Sequence, residues 1–269
     1  MLNEIKKSYI SFFSGMKNDL KIWEIFHYLL FFFVIPSLLI VIFYFPENIK
    51  NIFFVLDTSN FKFTALILNH YTHSQSEHLF TNLVLYIISV FLIFLFENSK
   101  KRLFYSSIIF LFIVPIITSL ITIYFFNITK LSLNMQGFSA IASAFFAYAL
   151  YCLIGYVFID LVYYTPDYKN MDKKRKILYF VLVLLLSVTL GLIMQINLNF
   201  SLFQTVENSI VNGISHYGGF IIGFGVPVLI EIIYGVKFNI IHLTVILSII
   251  MGSIIYISYL NNIVQILLI

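Results

Sequence analysis

Seven stretches of about twenty residues run through this sequence with almost no charge in them. An α-helix of that length, apolar throughout, is what the roughly 30 Å hydrocarbon core of a bilayer demands of a crossing. The stretches are Phe26–Phe45, His78–Phe96, Phe104–Phe126, Phe138–Phe158, Ile177–Ile196, Gly213–Tyr234 and Phe238–Leu260. A water-soluble core built from 269 residues could not hide that much apolar surface. The charged share, 10%, is far below the roughly 25% of soluble domains. The expected fold class is therefore an all-α polytopic membrane bundle.

The few charges are placed unevenly. Lys6, Lys7, Lys17 and Lys21 precede the first run, and Lys100, Lys101 and Arg102 follow the second. Lys169, Lys173, Lys174, Arg175 and Lys176 follow the fourth, and Lys237 follows the sixth. The intervening loops and the tail hold only Lys50, Lys62 and Lys130. Basic residues collect on the cytoplasmic side of short loops. The alternation predicts a cytoplasmic N-terminus, an outside C-terminus, seven crossings and a cell (plasma) membrane location. The second, fourth and sixth runs then start near the outer face. The first run ends in Phe45-Pro46-Glu47 without a small-residue cleavage site, so it is expected to be retained. No exposed basic face suggests nucleic acid, and the lone Cys152 cannot form an internal disulfide.

Polar residues inside crossings are costly and mark function or inward packing. Three clusters stand out, each at the start of an inward-running crossing. His70, His73, His78 and Asn82 lead into the second run, with His78 and Asn82 four apart on one helical face. Gln136, Gly137, Ser139 and Ser143 open the fourth. Ser215, His216, Gly219 and Gly223 open the sixth, where His216, Gly219 and Gly223 share a face. Gly219 and Gly223, with Ala140 and Ala144 on the fourth run, form small-xxx-small pairs that let two helices approach closely.

A serine hydroxyl becomes a useful nucleophile when a base takes its proton, and an acyl-transfer oxyanion needs donors already in position. Ser139 and His216 supply the first pair; Asn82, His78 and the Ser139 backbone N–H supply the second. Gly137 would let the loop bend into the site. No carboxylate completes a triad: Asp160 lies 21 residues past Ser139, about 30 Å along a helix at 1.5 Å per residue. The expectation is a Ser139–His216 dyad. Read singly, Ser139 could be a helix cap, His216 a packing histidine and Ser143 a small packing residue. A metal held by His70, His73, His78 and His216 fits the spacings poorly, and no cofactor is expected. His70 and His73 are expected at the membrane interface, and His27 and His242 at span edges without a specific role.

Taken together, His73, His78 and Asn82, then Gly137 and Ser139, then His216, Gly219 and Gly223 resemble the rhomboid family of intramembrane serine proteases. That family carries H-x4-H-x3-N, G-x-S and H-x2-G-x3-G on its second, fourth and sixth helices. The resemblance covers about Phe26 to Tyr234. It implies a cytoplasmic segment at 1–24, a six-helix catalytic core at 25–236 and an added seventh helix at 237–269. It implies Ser139 as nucleophile, His216 as base, an oxyanion site at His78 and Asn82, and support from His73, Gly137, Gly219 and Gly223. The implied substrates are transmembrane segments of single-pass or polytopic proteins, cut near the outer face of the lipid bilayer. Ala140 stands where the family often has Gly, Ser143 where a Tyr commonly stacks on the histidine, and the Trp-Arg pair of the first loop is missing. Two further readings fit the residues less well. A non-catalytic rhomboid-like protein that binds membrane clients would not need both Ser139 and His216. A transporter would place ionisable residues at the midplane or carry paired broken repeats, whereas Pro115 and Pro227 have no counterparts.

Overall fold

Lipid offers no water to satisfy peptide groups, so a crossing must make its backbone hydrogen bonds within itself. The structure, a computed structural model, describes residues 23–129, 134–163, 177, 181, 185, 206–236, 238 and 240–267. The chain enters through α1 (Ile25–Phe43). A long loop follows, holding α2 (Glu47–Phe53), strand β1 (Leu56–Asp57), α3 (Ala65–Leu68) and a 3-10 turn at Asn69–Tyr71. Next come α4 (Ser76–Phe96), α5 (Lys100–Ile128), strand β2 (Asn134–Met135), α6 (Ser139–Tyr163), α7 (Val206–Ile233) and α8 (Ile240–Leu267). Six helices among the described residues, α1 and α4 to α8, are long and apolar enough to cross a membrane. The chain is a polytopic helical membrane protein. The expected fifth crossing, Ile177–Ile196, lies outside the described residues except at three isolated positions, as do residues 1–22 of the N-terminal segment.

Local chemistry shapes these helices. One π turn occurs in α1, at Leu30–Val34, and one in α5, at Ile109–Ile113; Pro36 and Pro115 follow each by two residues. Proline lacks an N–H and its ring collides with the carbonyl four residues back. In both cases that carbonyl sits in the widened turn, which moves it aside. The Ser99 hydroxyl caps α5 by accepting from the Arg102 N–H at 3.2 Å. Gly235, at φ 80°, ends α7: the Val236 N–H reaches the Glu231 carbonyl and the Gly235 N–H the Ile232 carbonyl. This is the left-handed stop that glycine permits.

The centre of the bundle is α6. Of its crossing, 72% is buried inside the molecule, against 28% for α1. Ala140, Ala142, Ala144, Ala147 and Ala149 are all fully buried, and the small side chains let α7 and α4 lie close on either side. Phe33, Phe80, Phe91, Phe104 and Tyr124 point outward, as side chains solvated by lipid should.

At one end of the bundle a buried ionic cluster ties five helices together. Glu97, just past α4, has no exposed surface. It accepts from Arg102 Nε at 2.8 Å and Nη2 at 2.7 Å on α5, and from the Tyr148 hydroxyl of α6 at 2.5 Å. Arg102 also pairs with Glu231 of α7 through Nη1. Glu231 in turn accepts from His242 Nε2 of α8 at 2.7 Å. His242 is thus a buried link between α7 and α8, not the idle edge residue expected from its position in the sequence. Its partner lies eleven residues back across a tight turn, a pairing that hydropathy does not reveal.

Candidate active site

The loop between α1 and α4 folds back onto the turn that leads into α6. Leu56 pairs with Met135 and Asp57 with Asn134 in a short antiparallel bridge. Two residues on, the Gly137 N–H donates to the Asn69 carbonyl at 2.9 Å. Gly137 has φ 145°, a conformation that favours glycine. A Cβ there would also stand 3.1 Å from Cε1 of His78. Glycine is therefore required twice over, for backbone shape and for the approach of the His78 ring from α4.

His73 is the hub. Its Nε2 accepts the Phe138 N–H at 3.1 Å and lies 2.9 Å from Nδ2 of Asn82, which donates to it. A nitrogen that accepts from a backbone amide carries no proton, so His73 is the Nδ1–H tautomer. Burial, with His78 and His70 beside it, pushes its pKa down to about 3. The rings of His73 and His78 meet edge to face, with centroids 5.1 Å apart. Asn82 is buried and spends one amide N–H on His73; an amide carries two.

Phe138 stands just outside α6, its carbonyl accepting the Ala142 N–H at 3.0 Å. Ser139 is the first residue of the helix and is 3% exposed. Its N–H belongs to the first turn, where amides have no intrahelical acceptor. His216 lies on α7, half-buried. A Cβ on Gly219 would overlap the Ala140 carbonyl oxygen, and a Cβ on Gly223 that of Ala144. Both contacts step by four residues in the same direction, so α6 and α7 run parallel along a glycine seam of close backbone approach. Ser139 precedes Ala140 by one residue and His216 precedes Gly219 by three. At 1.5 Å per residue, His216 lies about 3 Å nearer the helix N-termini than Ser139.

The structure thus joins His73, Asn82, His78, Gly137 and the start of α6 in one cluster. Gly219 and Gly223 align His216 with that end. Ser143, one turn below Ser139, is buried. His70 and His73 are both fully buried inside the protein. The 3-10 turn draws His70 inward, where its Nε2 lies 3.2 Å from the Thr118 hydroxyl and 3.3 Å from that of Ser119 on α5. Sequence reasoning missed Asn69, Thr118 and Ser119. The adjacent Thr-Ser inside an apolar run was the available signal. Among the described residues, no three His, Cys, Asp or Glu side chains are grouped to hold a metal ion.

No family model matches the chain, and neither does a curated protein or a solved structure.

Proposed function

We propose that this protein is an intramembrane serine protease of the rhomboid kind. In this reading Ser139 is the nucleophile and His216 the general base, acting on transmembrane segments of other membrane proteins near the outer face of a cell membrane. One observation carries the reading. The parallel glycine seam between α6 and α7 brings Ser139 and His216 to the same end of adjacent helices, beside the His73–Asn82–Gly137 cluster. Topology by charge places that end outside, with the N-terminus in the cytoplasm.

The chemistry follows from the residues. His216 takes the hydroxyl proton as Ser139 Oγ attacks the scissile carbonyl carbon. The second N–H of Asn82, the His78 ring and the Ser139 amide are the donors for the oxyanion. Collapse of the tetrahedral intermediate expels the amine, which takes the proton back from His216. Water then attacks the acyl-enzyme by the same route and frees Ser139. His73 holds Asn82 and the turn before Ser139 in register, so it acts through other groups.

A fluorophosphonate probe reports an activated serine without a known substrate. Purified wild type, in detergent and in liposomes, should be labelled, and both Ser139→Ala and His216→Ala should abolish labelling. Folded wild type that stays unlabelled in both media would contradict the reading and favour a non-catalytic, client-binding protein.

A further inference from the structure

The end of α7 that carries His216 is rich in glycine. It meets α6 backbone to backbone at Gly219 and Gly223, with the Phe220 ring edge to face on Phe146, and Gly218-Gly219 follow Tyr217 directly. Glycine in a helix interior costs about 1 kcal/mol relative to alanine. Pro227 removes a further hydrogen bond, the one that would reach the Gly223 carbonyl. Ser143, one turn below Ser139, is too short for its side chain to stack on a histidine ring. The end of α7 that carries His216 packs on α5, where a Cβ on Gly218 would stand 2.9 Å from Cγ2 of Thr118, and on the helix that follows it.

The helix after α7, α8, is placed to hold that end. α8 runs antiparallel to α7, and three contacts keep one register along its length. At the inner end His242 pairs with Glu231. Midway, a Cβ on Gly225 would stand 3.9 Å from Cδ1 of Ile249. At the outer end the ring of Tyr256 stacks on Tyr217, with centroids 4.2 Å apart and planes 22° apart. There the Tyr217 hydroxyl donates to Ser253 Oγ at 2.5 Å. Tyr217 and Tyr256 are both buried. Tyr217 is the residue next to His216 and the last side chain before the glycine pair.

We infer that the eighth helix is a positioning element for the reaction, with Tyr256 and Ser253 as positioning residues that fix His216 through Tyr217. This rests on the protease reading above. Tyr256 acts on the α7 backbone through Tyr217 rather than on the imidazole. The seventh expected crossing is then part of the catalytic apparatus and not an appendage to a complete core.

The test is the rate of fluorophosphonate labelling of the full-length protein as a function of pH, with unfolding monitored in parallel. Tyr256→Phe keeps the stack and should label within about twofold of wild type. Tyr256→Leu removes it and should slow labelling by about tenfold or more, since small misplacements of a catalytic group carry costs of that size. It should also displace the pH profile, which a purely structural defect would not. If Tyr256→Leu does not fold, Tyr217→Phe and Ser253→Ala break only the hydroxyl link and should slow labelling several-fold with the same displacement. Folded Tyr256→Leu, or in its absence the two milder variants, labelling at the wild-type rate with the wild-type pH profile would overturn the inference alone. Unlabelled wild type would overturn the protease reading with it.

Discussion

At the scale of single residues, the candidate site depends on glycines and on neutral histidines. Gly219 faces a backbone oxygen, not a side chain, so nothing flexible can yield to a larger residue. Gly219→Ala should force α6 and α7 apart, destabilise the fold by about 1–3 kcal/mol and abolish probe labelling; an alanine variant with wild-type stability and labelling would refute the seam. The histidines set an acid limit. Burial pushes His70 down to about 4 and His73 to about 3, against about 6.5 for a free imidazole. Between about pH 6.5 and those lowered values the unfolded chain binds more protons than the folded one. Stability is therefore complete above that window and is lost as pH falls through it. Unfolding in detergent should become easier from about pH 7 to about pH 4. His70→Gln, which keeps a hydrogen-bonding group towards Thr118 and Ser119, should flatten the dependence; an unchanged slope would argue against a buried neutral ring.

At the scale of elements, the sequence and the structure can be compared helix by helix. Hydropathy marks α4 at His78–Phe96 and the helix runs Ser76–Phe96; it marks α7 at Gly213–Tyr234 and the helix begins at Val206. The runs are legible because lipid selects apolar side chains. The extensions are not, because backbone hydrogen bonding carries a helix into the polar interface, where hydropathy no longer reports it. The spacing of Gly137, Ser139, His216, Gly219 and Gly223 was legible too. The Leu56–Met135 bridge, the inward turn of His70 and the Tyr217–Tyr256 stack were not, since each joins residues distant in sequence without a local signature. The ionic cluster is of the same kind. Glu97 is wholly buried and Arg102 is its main counter-charge. Arg102→Ala should therefore cost about 3–5 kcal/mol, the size expected when a buried charge loses its partner. The double replacement Glu97→Gln with Arg102→Met should cost less than Arg102→Ala alone. Equal losses, read from unfolding midpoints in one detergent, would show that the charge pair is not what holds this end together.

For the whole molecule, the arrangement among the described residues is a central, small-residue helix packed among other apolar ones, with the candidate site at one end and the ionic cluster at the other. The charge alternation leads us to propose that the candidate-site end faces outside. Cysteines introduced in a Cys152→Ser background at Asn60 and at Lys101 should react with an impermeant thiol reagent from opposite sides of the membrane, Asn60 from outside. Reaction of both from one side would contradict the crossing pattern, and the reverse assignment would put the site at the cytoplasmic face. The proposed chemistry needs one serine, made reactive by one histidine, at the start of the central helix. Peptide-level mass spectrometry of probe-treated membranes tests it most directly. A single fluorophosphonate adduct is expected on Ser139 in wild type and none in His216→Ala. An adduct on Ser143 or Ser215 instead, or one on Ser139 that persists without His216, would contradict it.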